Sequence, residues 1–214
     1  MPPSIPASLN EVYVVCDVDA DEPIPGPHSM LRLGAAAFLA DGTLLGTFVA
    51  NLEELEGAAP DPAMARYWRA HPQAWEACRR HPEPPPEAMA RFVTWLDELP
   101  GKPVFVAYPG AYDFLFVYWY LMRFAGHSPF GHSALDIKTY AMAMLGTGYH
   151  ETTKRKMPRR WLRTTCGDED ALGDAVCEGT LFVAMLRENR ARGGLVRPAP
   201  RPAPSARTRA HSKK

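Results

Sequence analysis

Residues 13–22 read YVVCDVDADE, an apolar run that ends in closely spaced acids. The apolar part is rich in β-branched and aromatic side chains, which is typical of a buried strand. Asp17 and Asp19 are two residues apart, so on an extended strand their side chains point to the same face. Three acids exceed what the exit of a strand requires, which leaves two interpretations: a solvated turn, or a site that holds positive charge. Asp21 and Glu22 are predicted only to solvate the turn.

Composition limits the kind of protein. A chain of 214 residues with 46% apolar and 22% charged residues predicts one globular domain. The four cysteines are widely spaced and include no CxxC, so we expect reduced thiols and a cytoplasmic location. The chain has neither a basic start followed by an apolar segment nor an apolar run of the roughly 18 residues that a membrane span needs. We therefore expect neither secretion nor membrane insertion.

The charges are unevenly distributed along the chain. Residues 187–214 hold nine Lys or Arg and one acid, which leaves fifteen bases and twenty-three acids in residues 1–186. The C-terminal segment is also rich in Pro, Ala and Gly, a composition that cannot offset its ordering entropy by burial. The prediction is a flexible N-terminus at 1–10, one folded domain at 11–190, and a disordered basic tail at 191–214. The tail is either a solubilising extension or an electrostatic tether to nucleic acid.

Hydrophobic periodicity predicts three strands followed by a mixture of helices and one more strand. Asp41 and Gly42 form the turn of a hairpin between the second and third strands, and Pro72 divides the first helix. This order predicts a mixed α/β layer architecture. The predicted strands are 11–17, 30–39, 43–51 and 102–109, and the predicted helices are 60–80, 85–99, 112–126, 136–145 and 171–189.

Two further acids occupy positions that favour a site. Asp113 begins a helix directly after an apolar strand, at the end of an α/β sheet where ligands usually bind. Asp174 falls early in the last helix among small and apolar residues, where an unpaired carboxylate is costly. Together with Asp17 and Asp19 they would suit two Mg²⁺ or Mn²⁺ ions, which stabilise the attacking and leaving oxygens of a phosphoryl displacement. Each acid alone could equally be a turn residue or a helix-start charge.

Three segments resemble the motifs of the DEDD-type 3′-5′ exonuclease superfamily. VVCDVDADEPIPGPHSMLRLGAAAF (14–38) is similar to the first motif, an Asp-x-Glu strand followed by a strand of the type "liqiGav". VAYPGAYDFLFVYWYL (106–121) is similar to the second motif, and DALGDAVCEGTLFVAMLRE (170–188) to the third, a helix of the form "aLeDAlaqaelf". SPFGHSALDIKTYAMAML (128–145) further resembles the ribonuclease T and oligoribonuclease type.

The resemblance spans about residues 11 to 188 and implies that the domain is exonuclease-like. It implies a ribonuclease H-like fold, with a central five-stranded mixed sheet flanked by helices. It also implies that Asp17, Asp19, Asp113 and Asp174 ligate two Mg²⁺ or Mn²⁺ ions and are catalytic.

Two positions depart from the family pattern. Asp19 stands where the family has Glu, which shortens the second acid by one methylene. The family places a general base, His five residues or Tyr four residues before the last Asp, to deprotonate the attacking water; here those positions are Glu169 and Asp170. Glu169 is the candidate base, since a carboxylate can act towards a metal-activated water, although a helix-start charge is the interpretation that its position favours. His150, on the preceding irregular stretch, is an alternative.

Basic and aromatic side chains supply candidate substrate contacts. TTKRKMPRRW (152–161) holds five bases before the last helix, and Lys154, Arg155 and Arg159 could bind substrate phosphates or form a solvated loop. Tyr112 and Phe114 flank Asp113 and could stack unpaired bases, or simply belong to the core.

The leading interpretation is a metal-dependent 3′-5′ exonuclease that acts on the 3′ ends of single-stranded RNA or DNA. One alternative is a catalytically weak or silent module of the same fold that binds nucleic acid or protein. Another is a hydrolase of short oligomers. The resemblance also makes a homodimer an expectation, and no membrane partner is expected.

Overall fold

A five-stranded mixed sheet forms the centre of the molecule. The computed structural model describes residues 11–162 and 170–192. The strands lie in the order β3-β2-β1-β4-β5; β1, β2 and β3 pair antiparallel, while β4 pairs parallel to both β1 and β5. The strand bounds are Glu11–Ala20 (β1), Met30–Phe38 (β2), Leu44–Asn51 (β3), Lys102–Ala107 (β4) and Ala134–Asp136 (β5).

Helices cover both faces of this sheet. The described segments contain α1 (Pro62–Ala70), α2 (Pro72–Cys78), α3 (Pro85–Asp97), α4 (Gly110–Tyr120), α5 (Ile137–Leu145) and α6 (Ala171–Ala191). A π-helical turn at Leu121–Ala125 continues α4, and short 3₁₀ turns lie at Tyr149–Glu151 and Lys154–Lys156.

Strand β1 separates two apolar cores, because its side chains alternate between the faces of the sheet. Val14, Cys16 and Val18 are buried with α3 and α4 on one side, as the alternation predicts. Tyr13 and Val15 are buried with α5 and α6 on the other side. The alternation therefore brings the two acids at the end of β1 to the face that α6 covers.

Most predicted elements are confirmed. The Asp41 turn joins β2 to β3, with the Asp41 carboxylate accepting from Thr43 N at 2.9 Å. Asp61 caps α1, Pro62 opens it, and Pro72 opens the separate helix α2. The short strand β5 was missed by periodicity, which predicted a helix from 136.

The prediction of four reduced thiols is wrong at Cys177, and Cys166 lies outside the described residues. Cys16 and Cys78 are free and buried, but Cys177 is disulfide-bonded. Within the described residues, no helix is long and apolar enough to cross a membrane. The cytoplasmic location stays a prediction, and the bonded Cys177 removes part of its basis.

The predicted flexible N-terminus (1–10) and nearly all of the predicted basic tail (191–214) lie outside the described residues. The division of the chain into these parts stays a prediction.

Candidate active site

Asp17 lies near the end of β1, on the face beneath α6. Its register partner on β2 is Gly34. Burial raises the pKa of Asp17 well above its ordinary value, and the charges of Asp113 and Glu178 raise it further. Such an effect requires these carboxylates to share one small region, so the structure brings Asp17 together with acids from α4 and α6.

Asp113 enters the same region from the first turn of α4. It is only 2% exposed, and its Oδ1 accepts a hydrogen bond from Val18 N at 3.1 Å, which ties α4 to β1. Gly110 N donates to Asp136 Oδ1 at 3.0 Å and so fixes the start of α4 against β5. Burial, and then the charge of Glu178, raise the pKa of Asp113 to about 8.

Asp174 is placed by the way α6 begins. Asp170 caps the helix, its Oδ1 accepting from Gly173 N at 2.7 Å. The first turn then lies directly on β2: a Cβ on Gly34 would stand 2.3 Å from the Ala171 carbonyl carbon. Asp174 consequently lies beside β1, with Oδ1 3.6 Å from Lys154 Nζ.

Asp19 has a thiol and a positive charge beside it. Cys78 Sγ, at the end of α2, donates to Asp19 Oδ2 at 3.5 Å, and Arg32 is its register partner on β2. Burial raises the pKa of Asp19, while the Cys78 bond and the Arg32 charge oppose that rise. Asp19 thus joins the site with a cation at its side.

A fifth carboxylate, Glu178, lies in the site and was missed by sequence reasoning. It is 1% exposed, and its Oε1 lies 2.8 Å from Lys154 Nζ. The contact is a close ion pair between a buried carboxylate and a partly exposed ammonium. Burial raises the pKa of Glu178 to about 7, against the opposing effect of Lys154. The available signal was its spacing: Glu178 is four residues after Asp174, on the same face of a helix.

No three His, Cys, Asp or Glu side chains in residues 11–162 and 170–192 are arranged as ligands of one common ion. The local charges give a reason. The carboxylates carry like charge, and the Lys154 ammonium already lies against two of them, Asp174 and Glu178.

Comparison with known proteins identifies the architecture that holds these acids. No protein-family model matches the chain. The 3′-5′ DNA exonuclease Cap18 of Escherichia coli is 27% identical over 176 residues, which cover 80% of this chain and 90% of the relative. A full-length 3′-exonuclease superposes with a TM-score of 0.63 at 12% identity, covering 83% of this chain and 82% of that one.

The nuclease domain of 3′hExo, a DEDDh family member bound to rAMP, gives a TM-score of 0.61 at 10% identity, with 85% and 92% of the two chains covered. E. coli Exonuclease I in complex with a dT13 oligonucleotide gives 0.62 at 13% identity, with 86% of this chain and 42% of that one covered.

This chain has the fold of the 3′-5′ exonucleases. The resemblance to the DEDD-type exonuclease superfamily and the predicted ribonuclease H-like fold class are confirmed. The same comparisons bear out the prediction of an enzyme of the 3′-5′ exonuclease class.

Within this exonuclease fold, the predicted substrate contacts lie in different environments. Lys154 reaches into the acid site, whereas Arg155 and Arg159 are exposed on the segment before α6. Tyr112 lies beside the site, where burial and the nearby charge of Glu22 raise its pKa. Phe114 instead packs edge-on against the core, its ring 5.1 Å from that of Phe105.

The structure describes only one of the two candidate bases, His150. Glu169 lies outside the described residues, so its assignment as general base stays a prediction. His150 is exposed on the 3₁₀ turn at Tyr149–Glu151, with its ring 5.8 Å from that of Tyr149.

Two further residues near the acids depart from sequence expectation. Asp21 does not solvate the turn: it is 3% exposed, and burial raises its pKa to about 6. Arg32 was not predicted at all. It pairs with Asp170 at 3.3 Å, and its buried Nε has no hydrogen-bond partner in the described part of the chain. A lone Arg between Leu31 and Leu33 in an apolar strand was the available signal.

Proposed function

We propose that this chain is a metal-dependent 3′-5′ exonuclease that hydrolyses phosphodiester bonds at single-stranded nucleic-acid ends. The observation that carries the proposal is the convergence of buried acids from β1, α4 and α6: Asp113 raises the pKa of Asp17, and Glu178 raises the pKa of both. Such a cluster is costly for folding alone, because isolated buried carboxylates are unfavourable. The cost has a functional reason if the cluster binds cations.

The chemistry of the donors fits a hard divalent cation. The acids Asp17, Asp19, Asp113 and Asp174 offer only oxygen, the donor that Mg²⁺ and Mn²⁺ prefer. Glu178, buried near these aspartates, adds a fifth carboxylate with the same type of donor atom. When bound, such ions, two by resemblance to the family, supply the positive charge that activates water and stabilises phosphoryl displacement.

The chain's own residues orient these acids and receive the strand. The Val18 N–H holds the Asp113 carboxylate, and the Asp170 cap fixes the helix that carries Asp174. Arg155 and Arg159 are exposed and suited to contact phosphates along the incoming strand. Tyr112, beside Asp113, offers an aromatic face near the terminal nucleotide.

We take single-stranded DNA as the first substrate to test. The relative Cap18 is named a DNA exonuclease, and Exonuclease I was solved with dT13. The 3′hExo domain was solved with rAMP, so RNA of the same sequence is the second substrate. The homodimer expected by resemblance stays a prediction, which light scattering on the purified protein checks.

The test uses single-stranded DNA labelled at its 5′ end, with Mn²⁺ or Mg²⁺ and then with EDTA. We expect a ladder of shortened labelled products only with the divalent ion, because removal from the 3′ end retains the 5′ label. Asp113→Asn should lower the rate by at least ~100-fold, the range seen when a group that stabilises the transition state is removed. Asp97→Asn, an exposed acid on α3, is the matched control.

Each other result points to a different function. Folded protein that shortens neither DNA nor RNA with the metal supports the silent binding module. Rapid consumption of dinucleotides with little action on longer strands supports the hydrolase of short oligomers.

A further inference from the structure

The acid site contains Glu178 in addition to the four predicted aspartates. Glu178 lies four residues after Asp174 on α6, and it is only 1% exposed. Because a buried ionised carboxylate is costly unless a cation compensates it, Glu178 needs a positively charged partner.

Lys154 is that partner. Its Nζ lies 2.8 Å from Glu178 Oε1 and 3.6 Å from Asp174 Oδ1. It comes from a 3₁₀ turn, not from the sheet or α6, and its ammonium also lies 5.3 Å from the centre of the Tyr108 ring. Two carboxylates, Glu178 and Asp174, therefore face this one ammonium.

The contacts suit an ammonium that can leave. The Lys154 side chain remains 38% exposed, so its ammonium keeps access to solvent beside its contacts with Glu178 and Asp174. A lysine side chain is long and flexible, so the ammonium can move while the turn stays in place. One of the acids it contacts, Asp174, is also a proposed metal ligand.

We propose that Lys154 is an exchangeable counter-ion of this site: it neutralises Glu178 and Asp174 in the metal-free protein, and an arriving divalent cation displaces it. The inference rests on the proposed function, because it requires the acid cluster to bind cations. Lys154 and the divalent ion then compete for the same carboxylates. Glu178 keeps the cluster negative enough to attract the ion although a lysine is present.

The test measures Mn²⁺ binding directly, by electron paramagnetic resonance of free Mn²⁺ in titrations without substrate. Lys154→Met removes the competitor and should tighten Mn²⁺ binding by about tenfold, a fraction of the interaction of two charges about 4 Å apart at a protein surface. Glu178→Gln removes a charge and should weaken it by a similar factor. Lys156→Met is the matched control: Lys156 lies in the same turn as Lys154 but pairs with the exposed Glu151 of the preceding turn. This variant should leave Mn²⁺ binding unchanged.

Unchanged or weaker Mn²⁺ binding in a folded Lys154→Met variant overturns the proposal. If that variant does not fold, the variant with both Lys154→Met and Glu178→Gln leaves no new buried charge unpaired. It should bind Mn²⁺ more tightly than Glu178→Gln alone, and equal affinities overturn the proposal.

These outcomes are separate from those of the proposed function. Wild-type protein that binds Mn²⁺ and shortens DNA, with no effect of Lys154→Met on affinity, rejects the counter-ion alone. Absence of both Mn²⁺ binding and shortening in wild type rejects both proposals.

Discussion

At the scale of single residues, the site places like charges together at the expense of stability. Asp17 is surrounded by Asp113, Glu178, Asp19 and Asp174, and all of these charges raise its pKa. The positive side chains that the structure places against the acids are Arg32, at the Asp19 edge, and Lys154. Residues selected only for a stable core would not be arranged in this way. Replacing one of these acids by its neutral amide should therefore raise the stability of the metal-free protein.

Asp17→Asn should stabilise the metal-free protein while removing its response to metal. It keeps the shape of the side chain and takes one charge out of the cluster. We expect the melting temperature in EDTA to rise by about 2–4 °C, the shift that corresponds to ~1 kcal/mol in a chain of this size. The rise in melting temperature that Mn²⁺ gives wild type should be largely lost. Thermal melts with and without Mn²⁺ measure both effects.

The exposed acid Asp97 supplies the control. Asp97→Asn should leave both melting temperatures within about 1 °C of wild type, since substitutions of exposed residues usually change stability little. A lower melting temperature of Asp17→Asn in EDTA would contradict the interpretation that charge repulsion limits stability here.

At the scale of elements, the site depends on how closely α6 approaches the sheet. Two glycines allow that approach. Gly34 lies beneath the backbone of Ala171, and Gly179 lies beneath the Phe38 ring, where a Cβ would stand 2.1 Å from a ring carbon. Gly34 is also the register partner of Asp17 on β2. The contact between Gly34 and Ala171 therefore sets the distance between β1 and the first turn of α6, which carries Asp174.

Gly34→Ala should damage both stability and metal binding. The added Cβ would meet backbone atoms of Ala171 and Leu172 at 2.3–2.4 Å, so α6 itself must shift. Overpacking of this kind costs typically 1–3 kcal/mol. We expect a lower melting temperature and Mn²⁺ binding weakened by at least ~10-fold, measured by calorimetric titration of protein that still folds.

A second sheet glycine tests whether the position matters. Gly46 lies on β3, and a Cβ there would meet only Trp95 Nε1 at 3.7 Å, an ordinary contact. Gly46→Ala should therefore bind Mn²⁺ like wild type. Equal losses in the two variants would show that α6 placement is not the cause.

At the scale of the whole molecule, the sequence predicted the layers and most of the acid cluster, because both depend on local patterns. Alternation placed Asp17 on the face opposite Cys16, and the start of a helix directly after a strand indicated Asp113. Strand β5 was missed because three residues are too few to show alternation.

The remaining errors concern burial and pairing, which depend on contacts between distant segments. A glutamate in the middle of a helix usually faces solvent, so the spacing of Glu178 from Asp174 did not by itself predict that Glu178 is buried. Asp21 looked like a turn residue, but the surrounding chain buries it. The bond at Cys177 could not be inferred from cysteine spacing alone.

The buried acids also predict how the stability of the whole molecule depends on pH. Asp113, Glu178 and Asp21 have pKa values raised to about 8, 7 and 6, so the folded state binds protons that the unfolded state has released. Stability is then complete below the ordinary carboxyl pKa of about 4 and falls as pH rises towards 8. Groups with lowered pKa, such as Glu188 at about 2, act only below this range.

We therefore expect metal-free protein in EDTA to melt at a higher temperature at pH 5.5 than at pH 8. A divalent cation should reverse this order, because it binds the deprotonated acids and stabilises the folded state most where they are ionised. Scanning calorimetry at both pH values, with EDTA and with Mn²⁺, measures the effect. Asp113→Asn should reduce the pH dependence in EDTA, since it removes the largest of these three pKa shifts. A melting temperature in EDTA that rises from pH 5.5 to pH 8 would show that the acids are not buried together as the fold requires.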